Sequence, residues 1–391
     1  MKMAKTVVLA VVFVMASIKL SAQIAPVCDS GGVCGTDPNP TTDPSYAGLL
    51  AARPQVQNAR GTRNPTVAVS GAPGTVPIVI GSQSYNKAFP LVSLPGRGLD
   101  LNLTLYYNSR VWDVDTVNSA VSLNTDRDSP SYGFRLDFGF MEYDANNGQF
   151  ILTESDGTKH SMPITANMTN GSIFDSNDGT SIEFNNQSLV LVYRNGTTVK
   201  YQAFPSQATL FRPIKVEDRN GNFITINYVA GTGNDQHIDT VMDTLGRVIK
   251  FVYDGANHLS QITQAVSSTT DSSGTHIWAT FTWTQVPLTY NFASGLSVQS
   301  SPATGSSIWV LAGCSFTNLT GYKFSYGAWG IINRIDQLSS TGTIRSYETY
   351  NYPDASQSLS DAPRYTNMII SPDGTATSQW NYTETRPWAG D

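Results

Sequence analysis

Apolar and polar residues alternate with a period of two in several stretches of this chain. Residues 99–107 read LDLNLTLYY, which puts four leucines and a tyrosine on one face of a strand and mostly polar residues on the other. Residues 134–140 read FRLDFGF and alternate in the same way. This period is typical of half-buried β-strands, and hardly any stretch shows the 3.6-residue period of a helix. The pattern therefore predicts an all-β protein with a strand at each of these places.

A glycine, in most copies preceded by Asp or Asn, recurs with an apolar residue five positions to each side. The five copies are Leu152–Gly157–Met162, Phe174–Gly179–Phe184, Leu191–Gly196–Tyr201, Val216–Gly221–Ile226 and Val241–Gly246–Phe251. Asp-Gly and Asn-Gly tolerate the positive φ angles of a tight hairpin turn. Each copy therefore predicts a hairpin whose two apolar residues pair across the strands. Because one hairpin is marginal in water, the copies are expected to stack into a long sheet.

The last copy lies in DTLGRVIKFVYDGANHLSQI, residues 243–262, which resembles the YD repeat of the RHS (rearrangement-hotspot) family. The residues that carry this resemblance are Asp243, Gly246, Arg247, Tyr253 and Asp254. Asn257 stands where the family usually has a second glycine, and asparagine also accepts the left-handed backbone conformation. Residues 89–112, FPLVSLPGRGLDLNLTLYYNSRVW, are similar to the segment that opens many RHS and toxin-complex-type chains.

The resemblance implies repeated antiparallel β-hairpins that form an extended, curved, YD-shell-like sheet. In the family such shells enclose a toxic C-terminal polypeptide or, in the animal relatives called teneurins, serve cell adhesion. This chain lacks the family's core-terminating motif with its self-cleaving aspartates, so a partial shell, a companion piece of a shell or a truncated reading frame is expected. A β-solenoid with parallel rungs is the main alternative, which the Asp-Gly turns disfavour because they favour hairpins.

The first residues carry the pattern of a secretory signal peptide. Two lysines precede the apolar run 6–18, and Ala22 offers a small residue before a cut ahead of Gln23. The run is too short to cross a bilayer as a helix, which needs about 20 residues. The mature chain is therefore expected to be secreted, either extracellular or on the cell surface, with the periplasm as a further option. The predicted organisation is a signal peptide at 1–22, a low-complexity leader at 23–75, an N-terminal β region at 76–145 and YD-like hairpin repeats at 146–391.

The charge balance narrows the choice of partners. Removal of residues 1–22 removes three lysines and no acidic residue, which takes the formal net charge from −6 to −9. A nucleic-acid binder shows a basic patch or stripe, and the sequence has no Lys/Arg cluster. We therefore expect no nucleic-acid partner, and no membrane insertion after the signal peptide is cut.

The cysteines are compatible with an oxidising compartment, and neither the cysteines nor the histidines indicate a reaction. Cys28 and Cys34 are close enough in the sequence to form a small disulfide loop in an oxidising compartment. Cys314 is left over in an apolar run and is predicted to be a buried thiol. The four histidines, at positions 160, 237, 258 and 276, look isolated, with no acid at a ligand-like spacing. No zinc site, nucleophile elbow, P-loop or dinucleotide fingerprint occurs. We therefore predict no catalytic residue, no metal ligand and no cofactor, and do not expect an enzyme.

The sequence thus predicts a secreted, non-catalytic structural module, either a shell fragment or a surface-display element. Its partner would be a polypeptide: a cargo, a shell partner or the surface of a neighbouring cell. The alternative is an extracellular carbohydrate-binding β protein whose partner is a cell-surface glycan, since 10% of the residues are aromatic. The tryptophans that could stack on sugars are Trp278, Trp283, Trp309, Trp329 and Trp380, although in a β-rich protein such residues more often fill the core. A hydrolase built on two paired carboxylates needs no sequence motif and is a third option.

Overall fold

The computed structural model describes residues 85–115, 118–123, 129–204, 207–230, 237–265 and 274–381. These residues form twenty-six β-strands and no helix, which confirms the predicted all-β class. None of them therefore belongs to a helix that could cross a membrane. The predicted signal peptide, the leader, Cys28 and Cys34 lie outside the described residues.

The strands follow one another along the chain without long gaps. The first thirteen are β1 (Asn86–Leu94), β2 (Leu101–Asn108), β3 (Trp112–Asp115), β4 (Ala120–Leu123), β5 (Phe134–Arg135), β6 (Phe140–Asp144), β7 (Gln149–Thr153), β8 (Lys159–Met162), β9 (Ile164–Met168), β10 (Gly171–Asp175), β11 (Glu183–Asn185), β12 (Val190–Val192) and β13 (Thr198–Phe204). The others are β14 (Gln207–Glu217), β15 (Phe223–Tyr228), β16 (Ile238–Asp243), β17 (Val248–Tyr253), β18 (Leu259–Ala265), β19 (Thr275–Pro287), β20 (Ser297–Gln299), β21 (Ser307–Phe316), β22 (Gly321–Tyr326), β23 (Ile332–Leu338), β24 (Ile344–Asn351), β25 (Asn367–Ser371) and β26 (Ser378–Asn381).

Twenty of these strands belong to one large antiparallel sheet, in which most strands pair with their neighbours along the chain. Strands β6 to β14 form a closed ring, because β14 also pairs with β6 through Leu210 opposite Glu142 and Phe211 opposite Met141. The sheet continues from the other end of β14, where Lys215–Glu217 pairs with β15. We call β15–β19 and β21–β26 the extension. The predicted domain boundary at 145/146 stays a prediction.

Two small sheets complete the structure. One has the order β1-β2-β5, in which β1 and β2 form an antiparallel hairpin from Asn86 opposite Asn108 to Leu94 opposite Leu101. We call β1 and β2 the opening hairpin. The other sheet has the order β20-β4-β3, and β20 runs parallel to β4.

The five predicted hairpins are present, but four of them have a different register from the predicted one. Phe174 lies opposite Phe184, as the symmetrical pattern requires. In the other four the apolar residue five positions before the glycine faces the residue three positions after it, as Val241 faces Ile249. In these four hairpins the glycine N–H donates to the carbonyl three residues before it, so the positive-φ glycine forms a bulge at the end of a tight turn and the return strand starts earlier. Since strand side chains alternate, Ile249 and Phe251 still face the same side, and both are buried.

Residues 134–140 do not form the single strand that their alternation predicts. β5 ends at Arg135, and β6 begins at Phe140 in the large sheet. Between them the chain turns at Gly139, whose φ is +81° and whose N–H donates to Asp137 Oδ1 at 2.7 Å. An Asp side chain that binds the backbone two residues on is typical of a turn. Phe134, Leu136 and Phe140 are buried as the alternation predicts, whereas Phe138 is half-buried. Arg135, which the alternation puts on the polar face, is buried as well.

Most of the buried apolar side chains among the described residues form three cores. The largest lies between the opening hairpin and the face of the extension that it covers, which we call the inner face. Leucines 101, 103 and 105 of β2 lie there against residues such as Val241, Ile262 and Ile335. The second core surrounds Trp112 and Trp329 under the β20-β4-β3 sheet. The third belongs to strands of the closed ring.

Candidate functional site

The predicted signature residues Asp243 and Arg247 form a closed hydrogen-bonded turn between β16 and β17. Gly246 N–H donates to Asp243 O at 2.9 Å, and Gly246 has a φ of +75°. Asp243 Oδ1 accepts the N–H groups of Leu245 and Arg247, each at 3.0 Å. Asp243 Oδ2 accepts Arg247 Nε at 2.7 Å, and the carboxylate is buried. The two side chains therefore hold the turn rather than face solvent.

This turn also binds the loop between β1 and β2. Arg247 Nη2 donates to the carbonyl of Pro95, 152 residues away, at 2.7 Å. Next to it Gly98 packs on the preceding turn of the sheet, where a Cβ atom would lie 2.9 Å from Asp218 Oδ2. The Pro-Gly-Arg-Gly turn thus requires a glycine at 98, because any side chain there would collide with the repeat. The two segments that suggested the family by sequence therefore meet in the structure.

Tyr253, a third signature residue, links neighbouring strands through its hydroxyl. It donates to the carbonyl of Ile238 at 2.9 Å. Tyr228 donates to Pro213 O at 2.9 Å and Tyr326 to Leu311 O at 2.7 Å, and all three bonds span 15 residues. Burial raises the pKa of Tyr253 and Tyr228 far above the ordinary value, so both hydroxyls stay protonated donors. Sequence reasoning missed this repeat, although a tyrosine near the end of alternate strands was visible.

Asp254 repeats the role of Asp243 in the next turn. Its Oδ1 accepts the N–H groups of Ala256 and His258 at 2.8 and 2.9 Å. Asn257 has a φ of +64°, the left-handed conformation expected at the place where the family has glycine. His258 stacks on Trp283, with ring centroids 4.5 Å apart.

The opening hairpin is fixed to the inner face by tyrosines. The ring of Tyr85 stacks on Tyr350 with a centroid distance of 3.7 Å. Its hydroxyl donates to Ile332 O at 2.7 Å, and the N–H of Ile332 donates to the hydroxyl of Tyr107 at 2.9 Å. Burial and the neighbouring tyrosines raise the pKa of Tyr85 well above its ordinary value. These buried hydrogen bonds give the hairpin one defined position, because an unpaired polar group there would cost about 1–3 kcal/mol.

The opening hairpin does not cover the whole inner face. Between β1 and strands β22–β25 a cleft of about 390 Å³ remains. Its lining residues are Lys87, Ala88, Phe89, Tyr322, Ile335, Gln337, Ser346, Tyr347, Glu348, Ile370, Ser371 and Pro372. Lys87 Nζ lies 2.5 Å from Glu348 Oε2, so the cleft contains one cation and one anion in a pair. Sequence reasoning singled out none of these residues, because their positions in the chain are far apart.

His160 is not the isolated histidine that the sequence suggested. It is buried in β8, and its Nδ1 lies 2.5 Å from Asp178 Oδ2 in the turn between β10 and β11. Its Nε2 lies 3.8 Å from Glu154 Oε2, and the hydroxyl of Tyr193 donates to Glu154 Oε1 at 3.2 Å. Burial lowers the pKa of His160, but the two carboxylates outweigh burial and raise it above 6.5. The acids come from two other turns, which the spacing along the chain could not reveal.

Cys314 and the predicted tryptophans lie in different environments in the described part of the chain. Cys314 is a buried free thiol, as predicted, and burial raises its pKa to about 12. No cluster of three or more His, Cys, Asp or Glu side chains that could hold a metal ion occurs among the described residues. Of the predicted sugar-stacking tryptophans, Trp329 is buried and Trp278 and Trp283 are half-buried. Trp309 is 47% exposed and lies beside His258.

Comparisons with known proteins give distant structural similarity only. No protein-family profile matches the chain, and no curated protein matches it by sequence. A chain in the crystal structure of TcdB2-TccC3-Cdc42 is 10% identical, with a TM-score of 0.31, over 74% of this chain and 15% of that chain. A chain of the Photorhabdus luminescens Tc holotoxin pore is also 10% identical, with a TM-score of 0.29 over 74% of this chain and 15% of that chain.

The N-terminal domain of effector protein SpvB from Salmonella typhimurium strain LT2 is 14% identical, with a TM-score of 0.25, over 76% of this chain and 99% of that domain. This chain therefore spans only about 15% of the length of the Tc chains. With TM-scores below 0.5, the fold rests on the strand pairings described above.

Proposed function

We propose that this chain is a secreted, non-catalytic structural module of RHS/YD-repeat type that covers a polypeptide partner with its inner face. It would act as a shell fragment or as a surface-display element. The observation that carries the proposal is the way the inner face already holds a polypeptide, namely the opening hairpin of the same chain. Apolar rows, backbone carbonyls and the Arg247 side chain all take part in that contact.

The chemistry of the inner face supports this function. Antiparallel strands present an apolar surface that must be covered by another element. The covering element here is itself a two-stranded ribbon, which binds through leucines and through tyrosine hydroxyls. The same kinds of contact suit any extended polypeptide that lies on the uncovered part of the face. Secretion would bring the module to the compartment in which such partners are met.

A photo-crosslinking experiment tests the proposal. A photoreactive amino acid replaces Trp309, which is exposed and lies two residues before buried Leu311 of the inner-face core. A second variant carries it at Lys250, an exposed position between buried Ile249 and Phe251 and hence on the other face. We expect the secreted chain to form a defined adduct with a polypeptide from position 309 and not from position 250. Equal labelling from both positions, or none from position 309, would contradict a polypeptide-covering face.

Export is tested on the same material. The full chain, made in a bacterial host with its own N-terminus, should appear outside the cytoplasm and begin at Gln23. Mass spectrometry of the N-terminal peptide decides this. Cytosolic protein that still begins at Met1 would contradict secretion while leaving the crosslinking result intact.

A further inference from the structure

The floor of the cleft is built from cross-strand neighbours of the inner face. Tyr322 lies opposite Gln337, and Gln337 lies opposite Ser346, so an aromatic ring, an amide and a hydroxyl form one row across β22, β23 and β24. Ser346 Oγ donates to Gln337 Oε1 at 2.9 Å. Directly opposed side chains on one face are in contact range. The row is therefore an arrangement fixed by strand register.

A second row contains the only charged residue of the floor. Ile335 lies opposite Glu348, and Glu348 lies opposite Ile370. Glu348 Oε2 accepts the hydroxyl of Tyr350 at 2.6 Å and pairs with Lys87 from β1. The carboxylate is thus held in one position by two partners. Its charge is matched by the Lys87 ammonium, which leaves the cleft without net charge.

The opposite wall comes from β1. Phe89 packs edge-on against Tyr322, with ring centroids 4.8 Å apart, and supports that ring from the side. Phe89 is buried, whereas Tyr322 is half-buried and Gln337 is exposed. A ligand in the cleft would therefore meet the tyrosine ring together with the amide and the hydroxyl beside it. The volume lies within the range of ligand pockets, about 300–1,000 Å³.

These features select for one class of ligand. A charged ligand would have to compete with the Lys87–Glu348 ion pair for one of its two members. A wholly apolar ligand would bury the amide of Gln337 and the hydroxyl of Ser346 without new partners, which costs about 1–3 kcal/mol for each group. An uncharged ring with one apolar face and hydroxyls around its edge satisfies both kinds of surface. A pyranose sugar has this chemistry.

We propose that the cleft between β1 and β22–β25 binds an uncharged sugar, with Tyr322 against the sugar ring and Gln337, Ser346, Lys87 and Glu348 on its hydroxyls. The carbohydrate alternative from the sequence thereby receives a location that none of the predicted tryptophans occupies. The proposal is independent of the polypeptide-covering function, because it concerns small ligands and a part of the inner face that the opening hairpin leaves uncovered.

Calorimetric titration of the purified full-length chain tests this site. D-glucose, D-galactose and N-acetyl-D-glucosamine are the probes, with saturation-transfer NMR as a second measurement. We expect at least one of them to bind with a millimolar Kd. Tyr322→Ala should weaken that binding by about tenfold or more, whereas Tyr322→Phe, which keeps the ring, should retain it.

Two matched glutamine variants distinguish an effect on the cleft from a general effect on the sheet. Gln337→Ala removes the amide from the cleft, and Gln285→Ala removes an exposed amide on β19 outside the cleft. We expect the first to weaken sugar binding by about tenfold and the second to leave it unchanged. Circular dichroism and thermal unfolding of all variants show that the sheet is intact before binding is compared.

Three results would overturn the proposal. The first is that none of the three sugars binds the folded wild-type chain. The second is that Gln285→Ala weakens binding as much as Gln337→Ala. The third is that an acetylated Thr-Val-Thr-Val-Thr peptide binds at the cleft and the sugars do not, which would assign the cleft to strand addition on β1, an edge strand of its sheet. The crosslinking result at position 309 can succeed or fail separately from each of these.

Discussion

The closed ring and the extension cover the apolar faces of their strands in two different ways. In the ring each strand has neighbours on both sides, and its core is formed by residues of the ring alone. In the extension the inner face is covered by a hairpin that comes from the N-terminal part of the described chain. Closure removes unpaired sheet edges, whereas an added hairpin buries an apolar face. The stability of the extension therefore depends on a distant segment of the chain, whereas the stability of the ring does not.

The chain itself provides separate probes for the two regions. No tryptophan occurs between residues 140 and 217, which include the whole ring. Trp278, Trp283 and Trp309 lie on strands of the extension. Tryptophan fluorescence therefore follows the structure outside the ring, which comprises the extension together with Trp112 of β3, while hydrogen exchange measured by mass spectrometry follows the ring peptides.

The largest expected effects come from a matched pair of core truncations. Phe89→Ala removes a buried ring of the opening hairpin that packs on Tyr322 and Phe324, and Phe184→Ala removes a buried ring of the closed ring. Each should lower the free energy of unfolding by about 3–5 kcal/mol. We expect the fluorescence transition in urea to move for Phe89→Ala and ring exchange to rise for Phe184→Ala.

If both variants change both signals equally, the two regions are not stabilised independently. The two regions would then unfold as one cooperative unit, and the origin of the covering hairpin would make no difference to stability. Unchanged fluorescence in Phe89→Ala would show instead that the extension does not need the hairpin.

Loss of the buried carboxylate at the signature turn should have the next largest effect. Asp243→Ala leaves Arg247 without its acid and two turn N–H groups without an acceptor, which should cost about 3 kcal/mol. Because Arg247 also binds Pro95, exchange in residues 86–108 should rise as well. Asp373→Ala is the control, since Asp373 Oδ1 also accepts two backbone N–H groups, those of Thr375 and Ala376, in an exposed turn. A loss in Asp373→Ala as large as that in Asp243→Ala would contradict the role of the buried pair.

A smaller and pH-dependent effect is expected in the ring alone. The pKa of His160 is raised above 6.5, so its contribution to stability is complete below that pH and is lost as the pH rises through the folded pKa. Burial raises the pKa of Asp178, but hydrogen bonds from Thr180 and His160 outweigh it and lower the pKa below 3.8. That contribution is present above pH 3.8 and is lost as the pH falls through the folded pKa. Both contributions are therefore complete between pH 3.8 and 6.5.

The measurement is ring exchange from this pH range upward through the folded pKa of His160, corrected for the intrinsic rate. Protection in the wild type should decline as the pH rises above the folded pKa of His160, while His160→Gln should show a flatter profile. The tryptophan transition of the extension serves as the internal reference, since these groups belong to the ring. An identical pH profile in both proteins would show that the carboxylate contacts of His160 do not stabilise the ring.

The smallest expected effect concerns one turn of the extension. Leu319 has a φ of +62° and is 69% exposed, so its side chain strains the backbone and buries little. Leu319→Gly should stabilise the extension by up to about 1 kcal/mol. Leu245→Gly is the opposite control: Leu245 is also exposed but has no positive φ, and the change should destabilise by about 0.4–1 kcal/mol through the unfolded chain. Equal shifts of the fluorescence midpoint in the two variants would contradict this explanation.

Much of the architecture could be predicted from local patterns. The all-β class followed from period-two alternation, and the hairpin positions followed from glycines that tolerate positive φ. The buried state of Cys314 followed from its apolar surroundings in the sequence. The register of four hairpins and the break at Gly139 could not be predicted, because a bulge or a capped bend leaves the alternation of buried residues almost unchanged.

Turn chemistry and strand alternation act over a few residues, so the elements of this protein could be predicted from the sequence. What those elements surround depends on how the sheet folds in space. The closure of β14 on β6, the Arg247–Pro95 bond and the residues of the cleft all join positions that are far apart along the chain. His160 of β8 meets its two carboxylates for the same reason, since the sheet brings this strand close to the two turns that contain Glu154 and Asp178. Such contacts depend on how strands stack in space, which no local pattern records.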